Sequence, residues 1–337
     1  MKNTKKGGAL VMAALLLLMT FVGCTRQETD NGTTETAAEN RETASETEDA
    51  DRYTELVDAD SVSDKLRIYF LALTVPEGTE DKAGDAAVII TPDDHVMMID
   101  SGHPESSDQT VDFLKDLGIT KIDAYVESHP HIDHIGGFPA VANAFEIGHV
   151  YRTNVEHTTQ TYTNFVNAVE EEGCPVTYLK EGDTLDLDSG IHIDIYNPEE
   201  EVVYPEKFPE GATQFLNNES LTMKMTYGES TILFAGDLYT SGEDLVLEKY
   251  GEELQADVVK ANHHGRDTSN QKEWVEALSP EIVVAMDETM QSSTVVKRYI
   301  KEGAQYYTTA INGFVRVSMD KNKNYEVLTQ KGQALDL

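Results

Sequence analysis

Cysteine and tryptophan are scarce in this 337-residue chain, which has two cysteines, Cys24 and Cys174, and one tryptophan, Trp274. Two cysteines cannot form a disulfide scaffold, so the fold must rest on an apolar core. With 39% hydrophobic residues, a chain of this length can build one. Basic residues are also few, 26 against 61 acidic, for a formal charge of −35. Gripping nucleic acid by its phosphates takes clustered Lys and Arg, so nucleic acid is not the favoured partner. With a single Trp and scattered Tyr and Phe, the pattern shows no aromatic cage for a quaternary ammonium. No Gly-x-Ser-x-Gly element is present, so nothing implies a serine nucleophile.

The N-terminus reads as an address. Lys2, Lys5 and Lys6 precede an apolar run from Ala9 to Val22, which falls short of the ~20 residues of a spanning helix. This is the pattern of an export signal. Its end, Phe21-Val22-Gly23-Cys24, resembles a bacterial lipobox, with Phe21 where leucine is usual. The resemblance implies cleavage before Cys24 and a lipid on its sulfur. Residues 1–23 are therefore expected as a signal peptide. Residues 24–61 are expected as a lipidated cysteine and a disordered acidic tether, since their Thr, Glu, Ala and Asp cannot bury enough surface to offset ordering entropy. The globular domain is expected over 62–337. Membrane contact is expected only through the N-terminal lipid, at the outer face of a bacterial, Gram-positive type of cell membrane. Cys174 is assigned no role beyond that of a small hydrophobe.

From Lys65 onward the composition becomes globular. Arg67 to Thr74, Ala86 to Thr91, Val96 to Ile99 and Ile122 to Val126 read as strands. Ser106 and Ser107 offer an N-cap to a helix that carries Val111, Leu114 and Leu117 and stops at Gly118. The second half repeats the logic, with strands over 221–227, 231–235, 257–261 and 282–285. Helices are expected near 140–146, 161–172, 241–254, 271–278 and 293–303. Two comparable halves of mixed strands and helices predict two sheets back to back with helices outside, a four-layer αββα sandwich of the α/β class.

The chemistry is expected at strand ends. His129-Pro130-His131-Ile132-Asp133-His134 places four metal-ligand groups within six residues, just after an apolar strand. Imidazole and carboxylate together suit Zn²⁺, and also Fe or Mn. Four such groups on one short loop cannot all bind one ion, so His129 and His131 are expected to face one and Asp133 and His134 another. Asp237 follows the strand ending at Ala235, and His263 and His264 follow the strand ending at Ala261. His95, His103, His149, His157 and His192 lack this clustering and are read as ordinary residues.

The segments Ile99 to Gly102, His129 to His134, Ala235 to Asp237 and His263 to Gly265 resemble the ordered motifs of the metallo-β-lactamase superfamily. Gly84-Asp85-Ala86, Asn217-Asn218-Glu219-Ser220-Leu221 and Lys260 to Gly265 resemble a subgroup, the ComEC-type hydrolase domains and the teichoic-acid phosphorylcholine esterases. The resemblance implies two divalent ions, Zn²⁺ or else Mn or Fe. It places His129 and His131 on the first, Asp133 and His134 on the second, and Asp237 between them. One of His263 and His264 completes the second site, while the other contacts substrate or supports the ligands. Asp133, Asp237 and His264 are carried over as the catalytic set. Asp100 and Asn218 stand near ligands or substrate. The family's usual extra His before Asp237 is not evident, and Arg266 replaces the usual Ser after His-His-Gly, where it offers a guanidinium to a phosphate.

The implied function is an exported, membrane-tethered metal hydrolase. A phosphodiesterase acting on a small or wall-associated phosphodiester, through metal-activated hydroxide, is the leading expectation. A ComEC-type nuclease, a lactonase or β-lactamase, and a tethered binding protein without turnover are the alternatives.

Overall fold

The computed structural model describes residues 47–58, 60–187, 190–201 and 212–335. The expected signal, Cys24 and the tether up to residue 46 lie outside the described residues. The tether does not extend to residue 61. Residues 47–57 form helix α1, with Leu56 fully buried and Tyr53 packed edge-on against Phe113 and Phe314. Arg52 donates from Nε to the Thr329 carbonyl at 2.8 Å, and Tyr53 donates its hydroxyl to Asp116 at 2.7 Å. The folded domain therefore begins about fifteen residues earlier than the composition implies. Apolar residues at spacings of three and four, Tyr53, Leu56 and Val57, give one face to bury even in an acidic segment.

Among the described residues, seventeen strands follow. They are β1 (Leu66–Phe70), β2 (Ala87–Ile90), β3 (Val96–Ile99), β4 (Lys121–Ile122), β5 (Ala124–Val126), β6 (Glu146–Ile147), β7 (Val150–Arg152), β8 (Val176–Tyr178) and β9 (Thr184–Leu187). Next come β10 (Ile191–Asn197), β11 (Thr222–Tyr227), β12 (Ser230–Phe234), β13 (Val258–Lys260), β14 (Ile282–Ala285), β15 (Gln305–Thr308), β16 (Val315–Met319) and β17 (Tyr325–Thr329). One sheet has the order β17-β16-β1-β2-β3-β5-β7-β8, the other β15-β14-β13-β12-β11-β10-β9, and β4 pairs with β6. Each large sheet is antiparallel on one side and parallel on the other: β3, β5, β7 and β8 run parallel, as do β12 to β15.

Beyond α1, the α-helices are α2 (Ser107–Asp116), α3 (Ile132–Ile135), α4 (Phe138–Ala144), α5 (Gln160–Glu172), α6 (Thr213–Asn218), α7 (Thr240–Tyr250), α8 (Lys272–Leu278), α9 (Ser293–Lys301) and α10 (Thr309–Asn312), and short 3-10 turns include Asn262–Gly265. Three apolar clusters define the layers. The central one takes Ile68 and Ile89 from the first sheet and Ile193, Ile232 and Val258 from the second. A second joins the outer face of the first sheet to Phe113 of α2, Phe138 of α4 and Phe165 of α5. The third joins the outer face of the other sheet to Val246 of α7, Trp274 of α8 and Tyr299 of α9. This is the expected αββα sandwich. Strands covered on both faces are apolar almost throughout, as in Val96-Met97-Met98-Ile99, which is why they were readable as continuous runs.

The parallel strands aim one end of the sandwich. Asp100 follows β3, the histidine-rich segment follows β5, Asp237 follows β12 and His263-His264 follow β13. Side chains at the carboxyl ends of parallel strands from two facing sheets thus share one crevice, where open α/β sheets place their ligands.

Candidate metal centre

The first ligand-bearing loop runs from Glu127 into α3. His131 caps it in extended conformation, and the backbone then turns so that Ile135 N reaches His131 O at 3.0 Å. The loop is locked to the neighbouring segment at Gly84, where a Cβ would lie 1.6 Å from Asp133 O. Only glycine permits that approach at φ +77.

Asp100 sets the orientation of this loop. Its Oδ1 accepts from Ser128 N at 2.8 Å, and its Oδ2 lies 2.8 Å from His134 Nδ1. With Nδ1 engaged, Nε2 of His134 is directed inward, the usual way a carboxylate fixes a ligand imidazole. His129 Nε2 and His131 Nδ1 face each other at 2.9 Å, so these two rings aim at one point.

The second loop is less regular. His263 (φ 46, ψ 55) and His264 (φ 56, ψ 18) are consecutive left-handed residues without being glycine, a conformation that costs free energy and persists where surrounding structure enforces it. The enforcement is visible. Glu243 is fully buried and accepts from Asn262 Nδ2 at 2.8 Å, Asn270 N at 2.6 Å and Gln271 N at 3.0 Å. Tyr306 lies beneath the loop, and a Cβ at Gly265 would sit 2.6 Å from its hydroxyl.

The loops converge on Asp237. Its Oδ2 lies 3.4 Å from His134 Nε2, 3.3 Å from His264 Nε2, 3.9 Å from His129 Nε2 and 3.8 Å from His263 Nε2. Asp133 Oδ2 stands 3.3 Å from His264 Nε2. His264 Nδ1 is held by Asp85 Oδ1 at 2.9 Å and by Met286 O at 3.1 Å, so Nε2 turns toward the carboxylates. His263 turns elsewhere: its Nδ1 meets the Thr268 hydroxyl, its Nε2 lies 3.3 Å from Arg266, and its ring packs on Tyr239. His264 thus stands among the carboxylates, while His263 lines the cleft.

A cation fits this group. His134 Nε2 and Asp237 Oδ1 are buried without a hydrogen-bond partner among the described residues. One ligand atom each from Asp85, His134, Asp237 and His264 lies within 4.8 Å of the others. Burial and the neighbouring rings hold His129 far below the usual imidazole range, and burial lowers His131 to about 4, so both are neutral donors near pH 7. Burial opposes a charge on His134 and His264, but Asp237 with Asp100 and Asp85 overcomes it and raises both. Protons on these two rings balance the ionised Asp133 and Asp237, which are held below their usual range. A divalent ion held here would take over that balance.

Beside the group opens a cleft of about 290 Å³, lined in part by Lys82, His131, Asn217, Tyr239, His263 and Arg266. Arg266 is braced by Gln291 at 3.2 Å. Asn218, expected at the substrate, does not line the cleft. Its Oδ1 accepts from Gly242 N at 3.0 Å and Ser241 Oγ at 3.1 Å, capping the start of α7, while its neighbour Asn217 faces the cleft. His103 caps a short turn through Glu105 N. His157, read as ordinary, packs edge-on against His131 with ring centres 5.9 Å apart. Sequence reasoning assigned no role to Asp85, Lys260, Ser128 or Tyr239. Asp85 and Lys260 do stand in the motifs that resemble the subgroup, and a lysine ending the apolar strand Val258-Val259-Lys260 is a further local signal.

A family model described as the metallo-beta-lactamase superfamily matches residues 83–285, more than half of the chain, and the chain belongs to that superfamily. Its members are generally metal-dependent hydrolases, and the fold typically binds two divalent ions. The chain is similar to ComE operon protein 3 of Bacillus subtilis (strain 168), 27% identical over 184 residues, or 54% of this chain and 22% of that protein. It is equally similar to Competence protein ComA of Neisseria gonorrhoeae, 27% identical over 176 residues, or 51% and 21%. The match spans about a fifth of each relative's length. Among solved structures, the metallo-beta-lactamase fold protein YhfI from Bacillus subtilis aligns with 73% of this chain and 95% of its own at 12% identity, with a TM-score of 0.44.

Proposed function

We propose that the chain is a dinuclear metal hydrolase that cleaves phosphodiesters. The observation that carries this reading is the convergence of three histidine Nε2 atoms, those of His129, His134 and His264, on one carboxylate oxygen, Asp237 Oδ2, with the Arg266 guanidinium lining the adjoining cleft. His129, His131 and Asp237 would hold one ion, and Asp133, His134, Asp237 and His264 the other. When bound, such a pair lowers the pKa of a shared water toward ~7 and neutralises charge developing at the centre attacked.

The chain's own residues supply the rest. Arg266 receives a phosphoryl oxygen through a charge-assisted hydrogen bond, for which a fixed guanidinium suits an anionic ester better than a neutral carbonyl. His263, lowered by burial to about 4, is neutral near pH 7 and its Nε2 faces the Arg266 guanidinium at 3.3 Å. Asp100, through His134, keeps the ligand rings oriented.

Zn²⁺ leads as the metal, with Mn and Fe as alternatives. The substrate is a small or wall-bound phosphodiester outside the cell, and the chain reaches it as a lipoprotein anchored at Cys24. This localisation rests on the N-terminal sequence pattern. The motif resemblance to ComEC-type domains, beside 27% identity to ComE operon protein 3 and Competence protein ComA, leaves a nuclease as the second reading, against which the charge of −35 weighs.

The test is hydrolysis of bis-p-nitrophenyl phosphate, plasmid DNA and nitrocefin by the metal-loaded protein. Turnover of the first supports the proposal, and cutting of plasmid DNA favours the nuclease. Turnover of nitrocefin alone removes both readings.

A further inference from the structure

We propose that Lys260 is a positioning residue of this centre, a buried cation that holds Asp85 and the Oδ1 side of Asp237, so that Asp237 Oδ2 and His264 Nε2 would be the atoms left to hold metal. The inference rests on the dinuclear reading above.

Lysine is almost never fully buried unless it is paired, and Lys260 is 2% exposed at the end of an otherwise apolar strand. By alternation along β13 it points, like Val258, between the two sheets. Its ammonium has one hydrogen-bonded carbonyl and two carboxylates as neighbours. It pairs with Asp85 Oδ2, donates to Gly236 O at 2.9 Å and lies 3.7 Å from Asp237 Oδ1. Gly236 and Asp237 are adjacent, so one side chain grips both the backbone and the carboxylate of the turn that carries the bridging ligand.

The contacts close a circuit. Asp85 Oδ1 accepts from His264 Nδ1 at 2.9 Å, and His264 Nε2 returns to Asp237 at 3.3 Å. Lys260 therefore acts on two ligands at once, on Asp237 directly and on His264 through Asp85. The gap beside Lys260 and Asp85 is about 10 Å³, barely the size of one water, so protein groups are the partners of the ammonium.

The circuit also decides which carboxylate faces an ion. Asp85 lies close enough to His134, Asp237 and His264 to act as a ligand. With one oxygen on Lys260 and the other on His264 Nδ1, it has none to offer. Remove the ammonium and Asp85 becomes an uncompensated buried anion beside the ions, while Asp237 Oδ1 becomes free to bind as well.

The test is a cobalt(II) titration of the full chain, followed by visible absorbance, for wild type, Lys260→Met, Asp85→Asn and the double variant. Wild type takes up two equivalents. Lys260→Met keeps the first and weakens the second by ~10–100-fold, the range for residues that orient ligands, with a shifted visible band as Asp237 changes its binding mode. The double variant is no worse than either single variant, because both act on one circuit. Two equivalents at wild-type affinity with an unchanged band in Lys260→Met overturn the proposal, as do losses that simply add. If Lys260→Met does not fold, the double variant, which buries no lone charge, carries the test: wild-type affinity for the second equivalent overturns the proposal, and a weakened one supports it. No cobalt uptake by wild type overturns this inference together with the dinuclear reading.

Discussion

The loop after β5 and the loop after β13 bring their side chains to Asp237 in different ways. The first packs four ligand groups into His129 to His134 and turns through an ordinary right-handed α3. The second offers two histidines on consecutive left-handed residues, and what selects between them is Asp85, 179 residues away. A dense local cluster carries its own chemistry. A sparse one acquires its chemistry from residues that the fold brings to it.

The largest effect that separates the two histidines of the second loop comes from alanine at each. His264→Ala removes a ligand and is expected to lower kcat/KM by ~10³ or more, several kcal/mol of lost stabilisation, with the second metal equivalent lost in a mass-spectrometric metal assay. His263→Ala is expected to leave metal content intact and act on turnover. Equal metal loss in both variants would erase the distinction between the rings.

Glu243→Ala tests whether the strained loop is imposed from outside. It strips three buried donors of their acceptor, each costing ~1–3 kcal/mol, so a thermal melt should show a large drop in stability and the second metal equivalent should weaken with it. A melt lowered without any change in metal binding would mean that the loop holds its own shape.

On the first loop, Asp100→Asn is expected to cost ~10–100-fold in metal affinity, read by chelator competition. Its effect should reach the ion through His134 while leaving the second loop in place.

The smallest effect concerns pH. Glu219, beside the cleft-facing Asn217, is pushed up to about 7 by burial and by Glu199. The folded state therefore holds this proton more tightly than the unfolded chain, whose Glu titrates near 4.3. The resulting stability is fully present below that value and is lost as pH rises through about 7. Glu219→Gln should flatten this part of the stability–pH curve and gain ~1–2 kcal/mol on wild type above pH 7. Superimposable curves would contradict the assignment.

The sequence made the first loop legible because its ligands are contiguous, and it made the strands buried on both faces legible because they are unbroken apolar runs. Other elements depend on pairing across the chain. β16 carries Arg316 in mid-strand, nearly fully buried, an unpromising strand until its guanidinium is seen to donate to the carbonyl of Leu56 at 2.9 Å. That contact also explains why the domain starts at α1 rather than at residue 62. The helix end supplies carbonyls to a buried arginine whose acidic partner, Glu326, stands 3.9 Å away, while Leu56 fills the apolar layer. Asn218 and Asn217 show the same limit at finer grain. The motif gave the pair, but only the packing of α6 against α7 decides which faces the cleft and which caps a helix.

The most direct test of the account is the metal content of the purified full chain beside Asp237→Ala, with bis-p-nitrophenyl phosphate turnover followed in both. The account predicts two equivalents of Zn, Mn or Fe in the wild type, and joint loss of metal and turnover in the variant. A wild type that binds no metal and stays inactive after addition of Zn²⁺ or Mn²⁺ would contradict it.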